Sequence, residues 1–482
     1  MASAFHIENF GCRAARADGE AVSDRLRSAG LAERHPAAAD VVIVNTCSVT
    51  AEADRSARAF IRRTHRVNPE AQILVTGCYA QRAPEELAGL PGVAAVVGNS
   101  HKALAPMIAM DLVRGRTPVP EVERPAALIP IRSLLSANGH ASIWADDHFA
   151  HSFLEEAQLV SGNQTRPNLK IQEGCSNRCT FCVIPQTRGA SRSLAAASVL
   201  RQVAGFVAAG GKELVFSGIN LGRWGRDLSP AAGNTAESLP RLLRSIFRET
   251  ELPRLRLSSI EPMDWDADLV SVMGEFGGTR LARHAHLPLQ SGSDAVLRRM
   301  HRRYRPWHYA KKVAALTEAA GSELTLGADV MVGFPGESDR EFEETCDFIR
   351  ALPFGYLHLF PFSPRPGTRG WSLHTESPVP VKTVEERMAA LRELAAEKSE
   401  AHRRCFIGRE IQAITLHTPP EVQALGLTAA LTENFLPLQI DSCINANRLL
   451  PVMVMSMDSN LTLQAAPVHS APDRFIATQI MV

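Results

Sequence analysis

The chain is short of lysine. Seven of its 52 cationic residues are Lys and the rest are Arg. Its formal net charge is only +1, so no global basic field marks it as a nucleic-acid binder. The bias to Arg suits phosphate contacts, and a GC-rich genome leaves the same bias. No apolar run reaches the length of a bilayer span, which argues against a membrane protein. The start, MASAFHIENFGC, has neither a basic segment nor a long apolar core, which argues against a secretory signal. A cytoplasmic location is therefore expected. In that reducing compartment the nine cysteines are metal ligands or buried thiols before they are disulfides. No internal repeat is visible.

What is present is ordinary globular composition, 45% hydrophobic and 21% charged over 482 residues. That length suggests about three domains. Residues 1–115 alternate apolar runs with helical stretches. FHIENFG (5–11), VVIVNT (41–46) and QILVTG (72–77) read as buried strands. ADGEAVSDRLRSAGL and EADRSARAFIRRTHRV, between them, carry helical spacing. This is the rhythm of a parallel, Rossmann-like α/β domain. Residues 116–166 are Pro-rich and then aperiodic, and read as a linker or lid.

Over 167–402 the βα rhythm returns. NLKIQ (168–172), ELVFSG (213–218), RLRLSS (254–259), HAHLPL (284–289), LTLGADVMVG (324–333) and YLHLFPF (356–362) are strand candidates, each followed by a helical stretch. Six βα units fit a partial TIM-like barrel, with its chemistry at the C-terminal ends of the strands. A long helix, 383–405, closes this region. Residues 403–482 hold short β runs, EIQAITL, LTAALTE and PLQIDSC, that fit a small all-β barrel.

Two sets of cysteines carry the chemistry. Cys175, Cys179 and Cys182 stand in a C-x3-C-x2-C spacing just after the first barrel strand, with no fourth cysteine nearby. A zinc site completed by a distant His or Cys is one reading. Three thiols on one loop at this place favour a [4Fe–4S] cluster whose fourth iron takes a non-protein ligand. Cys12, Cys47 and Cys78 are 35 and 31 residues apart, yet each directly follows one of the three N-terminal strands. Neighbouring strands of an open parallel sheet end at one crevice, so these thiols can converge on a second cluster. The alternative is three independent buried cysteines. Cys346, Cys405 and Cys443 share no such context.

The segment QEGCSNRCTFCVIPQTRG resembles the signature of radical S-adenosylmethionine (SAM) enzymes. In that superfamily SAM chelates the open iron, and its cleavage gives a 5′-deoxyadenosyl radical that removes hydrogen from unactivated C–H bonds; the cofactor carries this chemistry. With the second cysteine set, nearly the whole chain resembles the radical SAM methylthiotransferases. Their order is an N-terminal domain with an auxiliary cluster, a radical SAM domain and a C-terminal TRAM barrel. NFGCRAARADGEAV, LRLSSIEP, HAHLPLQSGSDAVLRRMHRRY, VMVGFPGE and YLHLFPFSPRPGT are most similar to the MtaB branch.

That resemblance implies two [4Fe–4S] clusters, SAM, an electron donor such as a flavodoxin or ferredoxin, and a tRNA substrate, worked on by a monomer. The implied reaction converts N6-threonylcarbamoyladenosine, beside the anticodon, to its 2-methylthio form. Sister branches act on isopentenyladenosine in tRNA or on an aspartate of a ribosomal protein. From a different class, a non-catalytic zinc-bearing RNA-binding protein is the alternative.

The resemblance also implies cofactor contacts. Ser217, Gly218 and Asn220 end the second barrel strand, where the methionine amino group is usually held. Glu261 ends the third strand and is either a polar SAM contact or a helix-start residue. Gln290 ends the fourth and faces SAM ribose or substrate. Gly333 ends the fifth, in VGFPGE, and supports the adenine or simply makes a strand-to-helix turn. For RNA, two Arg clusters are candidates, one holding Arg55, Arg58, Arg62, Arg63 and Arg66, the other Arg298, Arg299, Arg302, Arg303 and Arg305. From Cys405 onward there are three Arg, no Lys and six acids, a net of −3, which departs from an RNA-gripping barrel.

Overall fold

The computed structural model describes residues 3–115, 141–149, 165–228 and 236–468. The N-terminal third forms one parallel six-stranded sheet. Its spatial order is Ala32–Glu33, Ala4–Asn9, Val41–Thr46, Gln72–Gly77, Val93–Gly98 and Ser142–Trp144. Val41–Thr46 is buried at every position, as expected of a parallel strand covered on both faces. Alternation divides the sheet between two cores. Val42, Val44, Ile73 and Val75 pack on one face, and Val41, Ile43, Leu74 and Ala95 on the other.

Three of these strands were not expected from sequence, the two-residue Ala32–Glu33 among them. Val93–Gly98 is a plain apolar run next to the expected strands. Ser142–Trp144 lies inside the stretch read as a linker or lid, and pairs with Ala95–Val97 as the edge of this sheet. At 116–166 the linker reading is therefore corrected at residues 142–144; 116–140 and 150–164 lie outside the described residues. Three residues are too few to show a period, which is why this strand was missed.

The central region follows the expected βα order. Six parallel strands run Asn168–Glu173, Glu213–Gly218, Arg254–Leu257, His284–His286, Thr325–Val332 and Phe354–Pro361. They form two ladders of three, the first extended by the short antiparallel strand Arg192–Ser193. The Leu255–Leu281 bridge and the bond from Ile260 N to His286 O (3.0 Å) join the ladders. Among the described residues no ladder joins the first strand to the sixth, so the barrel is open at that side. HAHLPL keeps continuous ladder pairing over its first three residues, after which Leu289 N donates to Asp329 O (3.1 Å) and Gln290 bridges Val330. Pro288 has no N–H to give, and Gln290 bends the chain with φ +64°.

Helices 196–208, 239–249, 267–276, 306–320, 339–351 and 381–404 cover the outside. Leu326, Ala328 and Val330 share a core with Ile349, Leu391 and Leu394 of those helices, so Gly327 and Asp329 turn to the barrel lumen.

The last region is a closed five-stranded barrel made by Glu410–Thr415, Thr428–Thr432, Pro437–Ile440, Leu463–Pro467 and Leu449–Met457. It docks on the central barrel through the 433–435 hairpin and through Asn447, whose Nδ2 donates to Gly210 O (3.1 Å). Glu433 accepts bonds from Arg283 N (2.9 Å) and Arg283 Nε (2.7 Å). Asn434 Nδ2 donates to Glu323 O (2.8 Å). The Phe435 ring lies 4.5 Å from His284. Among the described residues no helix is long and apolar enough to cross a membrane.

Candidate functional site

The loop after Asn168–Glu173 holds Cys175, Cys179 and Cys182, as expected from the sequence. Cys182 N donates to Cys179 O (3.1 Å), which folds the loop back on itself. Asn177 N points at Cys175 Sγ (3.4 Å), Asn220 Nδ2 at the same sulfur (3.8 Å), and Arg302 Nη1 at Cys179 Sγ (3.4 Å). Donors gathered on sulfur favour thiolates. Against them, burial and then the neighbouring Cys179 push the Cys182 thiol up to about 12. Such thiols lose their protons when a metal cation arrives. A cavity of about 430 Å³ opens over the loop, lined by all three cysteines, Gln186, His301 and Thr368 among others.

The second set also comes together. Cys12 is the N-cap of helix Arg13–Ser28, and Cys78 opens helix Cys78–Arg82. The strands before Cys12, Cys47 and Cys78 are adjacent in the sheet. Helix N-termini add partial positive charge at Cys12 and Cys78. Burial first, then Cys78 and Cys12, raises the Cys47 thiol to about 12. Asn99 Nδ2 (3.4 Å) and Arg188 Nε (3.2 Å) both donate to Cys78 Sγ.

Arg188 was missed in the sequence, although it sits six residues beyond Cys182, in IPQTRG. It is fully buried and comes from the central barrel, yet it touches a sulfur of the N-terminal sheet. It belongs to a buried ionic cluster across that junction. Lys102 and Lys170 each meet both Asp18 and Glu173. Arg188 bonds Asp18 (3.1 Å) and Glu173 (2.7 Å). Burial alone would raise the Glu173 carboxyl, but Arg188, Lys102 and Lys170 outweigh it and hold it well below its usual value. Three cations thus face two carboxylates, and one of the three, Arg188, also points at Cys78 Sγ.

A sequence profile described as "Uncharacterized protein family UPF0004" matches residues 4–98, which include Cys12, Cys47 and Cys78. That of the Radical SAM superfamily matches 169–349, which include Cys175, Cys179 and Cys182. The threonylcarbamoyladenosine tRNA methylthiotransferase MtaB of Bacillus subtilis is 33% identical over 90% of this chain and 89% of its own. The MtaB of Aquifex aeolicus is 32% identical over 93% of this chain and 99% of its own. The chain belongs to the radical SAM methylthiotransferases, in the MtaB branch. The tRNA-2-methylthio-N(6)-dimethylallyladenosine synthase of Cereibacter sphaeroides is also similar, at 32% identity over 84% of this chain and 85% of its own.

An iron–sulfur cluster and SAM come with this superfamily, and the methylthiotransferase has groups that fit them. Ser217 Oγ, Asn220 Oδ1 and Gln290 Oε1 are buried with no hydrogen-bond partner, at 1%, 3% and 6% residue exposure. Orphaned polar atoms of this kind are rare in a native interior and suit a polar ligand. Gly218 lies against Gln172, where an added Cβ would come within 2.9 Å of that side chain. Glu261 stands at the start of the short helix Pro262–Asp264, as one reading expected, without a capping bond from its side chain. It pairs with Arg302 (2.5 Å), the arginine on Cys179. Gly333 is a different case. Its φ is +76°, and an added Cβ would come within 2.5 Å of Val384. Glu337 caps its N–H (2.9 Å) and pairs with Arg387. Packing alone accounts for a glycine there, which agrees with the turn reading.

The Arg clusters of the methylthiotransferase separate in the same way. Arg298 and Arg305 pair with Asp294, Arg299 with Glu341 and Arg302 with Glu261, so four of those five cations are engaged in the protein itself. On helix Ala51–Val67, Arg62, Arg63 and Arg66 are exposed, whereas Arg55 pairs with Glu52 and Arg58 with Glu86.

Proposed function

We propose that this protein converts N6-threonylcarbamoyladenosine, next to the anticodon of tRNA, to its 2-methylthio derivative. The observation that carries the reading is the pair of three-cysteine centres, tied by Arg188 across the junction of the N-terminal sheet and the central barrel. The names of the MtaB relatives supply the substrate. In this reading the N-terminal region holds an auxiliary cluster at Cys12, Cys47 and Cys78, and the central barrel holds the SAM cluster at Cys175, Cys179 and Cys182. SAM, when bound, would supply the radical that takes hydrogen from adenine C2 and, from a second molecule, the methyl group, and the auxiliary cluster would be the source of sulfur.

The chain's own part is to bind and orient. Ser217, Gly218 and Asn220 hold the methionine end of SAM, and Gln290 faces its ribose or the substrate. Glu261 acts through Arg302, steadying Cys179. The protein works as a cytoplasmic monomer fed by a flavodoxin or ferredoxin. The dimethylallyladenosine reading is second, because relatives of that name match at similar identity.

Nucleoside mass spectrometry of tRNA from a deletion strain tests the substrate. Loss of 2-methylthio-threonylcarbamoyladenosine is expected; its persistence sinks the reading, and loss of the isopentenyl derivative instead selects the second. Iron and sulfide analysis of anaerobically purified protein tests the centres. Two four-iron clusters require about eight irons per chain. Zinc bound to sulfur, with no brown chromophore, would return the cysteines to a structural role.

A further inference from the structure

Three side chains from three neighbouring strands converge in the barrel lumen, apart from both cysteine centres. His286 stands beside Gly327, and Asp329 lies directly across the ladder from His358. His286 Nε2 is 3.1 Å from Asp329 Oδ1, and His358 Nδ1 is 3.4 Å from the same oxygen. All three atoms lie within 4.8 Å of one another. A tetrahedral ion with bonds of 2.0–2.1 Å holds neighbouring ligand atoms about 3.3–3.4 Å apart. Two edges of such a polyhedron are therefore already close to size.

The surroundings favour a bound cation over a plain ion pair. His286 is 4% exposed, and its Nδ1 is bonded to the Tyr356 hydroxyl (2.9 Å). A partner on the far ring nitrogen is what orients a metal-ligating imidazole. The same hydroxyl also meets His284 Nε2 (2.8 Å). Gly327 makes this possible, since a Cβ there would lie 2.1 Å from the Tyr356 ring. The near nitrogen, Nε2 of His286, is buried and faces the Asp329 carboxylate oxygen, which His358 also faces. One carboxylate oxygen between two imidazole nitrogens is a donor arrangement that a cation can occupy. His358 is 62% exposed along its side chain, which leaves an entry from solvent.

We propose that His286, Asp329 and His358 bind a divalent transition cation of the zinc class in the barrel lumen. Two imidazoles and one carboxylate are a common N/O set for zinc and keep further positions open. The site uses no sulfur, so it stands whether or not the cysteines bind two clusters.

The test uses the full chain with its clusters reconstituted, incubated with Zn²⁺ and desalted. Zinc and iron are counted together, and the zinc X-ray absorption edge reads the ligand type. One zinc per chain with N/O neighbours at about 2.0–2.1 Å is expected. Asp329→Asn and His358→Gln should each lose that zinc at unchanged iron. If Asp329→Asn also loses iron, the exposed His358→Gln decides. The proposal is overturned if no zinc binds, if zinc is retained in His358→Gln, or if its neighbours are sulfur at about 2.3 Å, the signature of zinc on cysteine.

Discussion

At the scale of single residues, Gly11 controls whether Cys47 can reach its partners. Its φ is +110°, and an added Cβ would come within 2.5 Å of Cys47 Cβ and 2.8 Å of Cys47 Sγ. A non-glycine residue is strained there on both counts. Gly11→Ala should push Cys47 out of line while leaving the Cys175 loop alone. Iron per chain is expected to fall by half, with SAM cleavage retained. Full iron in the variant would mean that Cys47 is not a ligand. This position shows what the sequence offers and what it hides. The cysteine in NFGC is legible because it follows a strand; the need for the glycine is not, because the clash comes from a residue 36 positions away.

At the scale of elements, the junction between the N-terminal sheet and the first barrel strand rests on buried charge. Burial lowers Lys102 to about 8 against the pull of Asp18 and Glu173. Removing one member of a buried ionic cluster leaves the others uncompensated and typically costs about 3–5 kcal/mol. Asp18→Asn should therefore lower the first melting transition by on the order of 10 °C. Glu275→Gln, which breaks an exposed pair with Arg244, should scarcely move it. Equal effects in a calorimetric scan would remove the junction's special standing.

None of this network was read from the sequence. Lys102 and Lys170 lie 84 and 152 positions from Asp18, and no local pattern marks such a meeting. The strands were legible for the opposite reason, since their apolar runs record local burial. Val41–Thr46 and Gln72–Gly77 match the expected bounds residue for residue. The cysteine centres stand between these cases. Cys175, Cys179 and Cys182 are a local motif, whereas Cys12, Cys47 and Cys78 were found only by asking where parallel strands end.

At the scale of the whole molecule, helix Val381–Arg404, the 433–435 hairpin and Asn447 connect the C-terminal barrel to the catalytic barrel. Phe435 packs against His284 and Tyr356, with Arg256 over its ring at 5.3 Å. Phe435→Ala should loosen the docking and speed protease cleavage near 405–410, while iron content holds. Glu433 is buried in the same contact at 1% exposure, so one of the six acids counted in this region faces the partner barrel, not RNA.

The helix end carries a pH-sensitive contact. His402 meets Thr325 Oγ1 (2.8 Å) and the Phe406 ring at 5.2 Å. Burial first, and Arg403 second, lowers its imidazole from 6.5 to about 4. The folded state thus favours neutral His402, while the unfolded chain takes up a proton below about 6.5. The stability from this group is complete above that pH and drains away as pH falls toward 4, by about 3 kcal/mol at full titration. His402→Gln keeps a group able to bond Thr325 and cannot titrate. Melting of the two cluster-free chains should therefore converge or cross as pH is lowered from 7 to 4, with the variant falling less steeply. A gap that stays constant across this range would show that His402 does not couple protons to the closure of the two barrels.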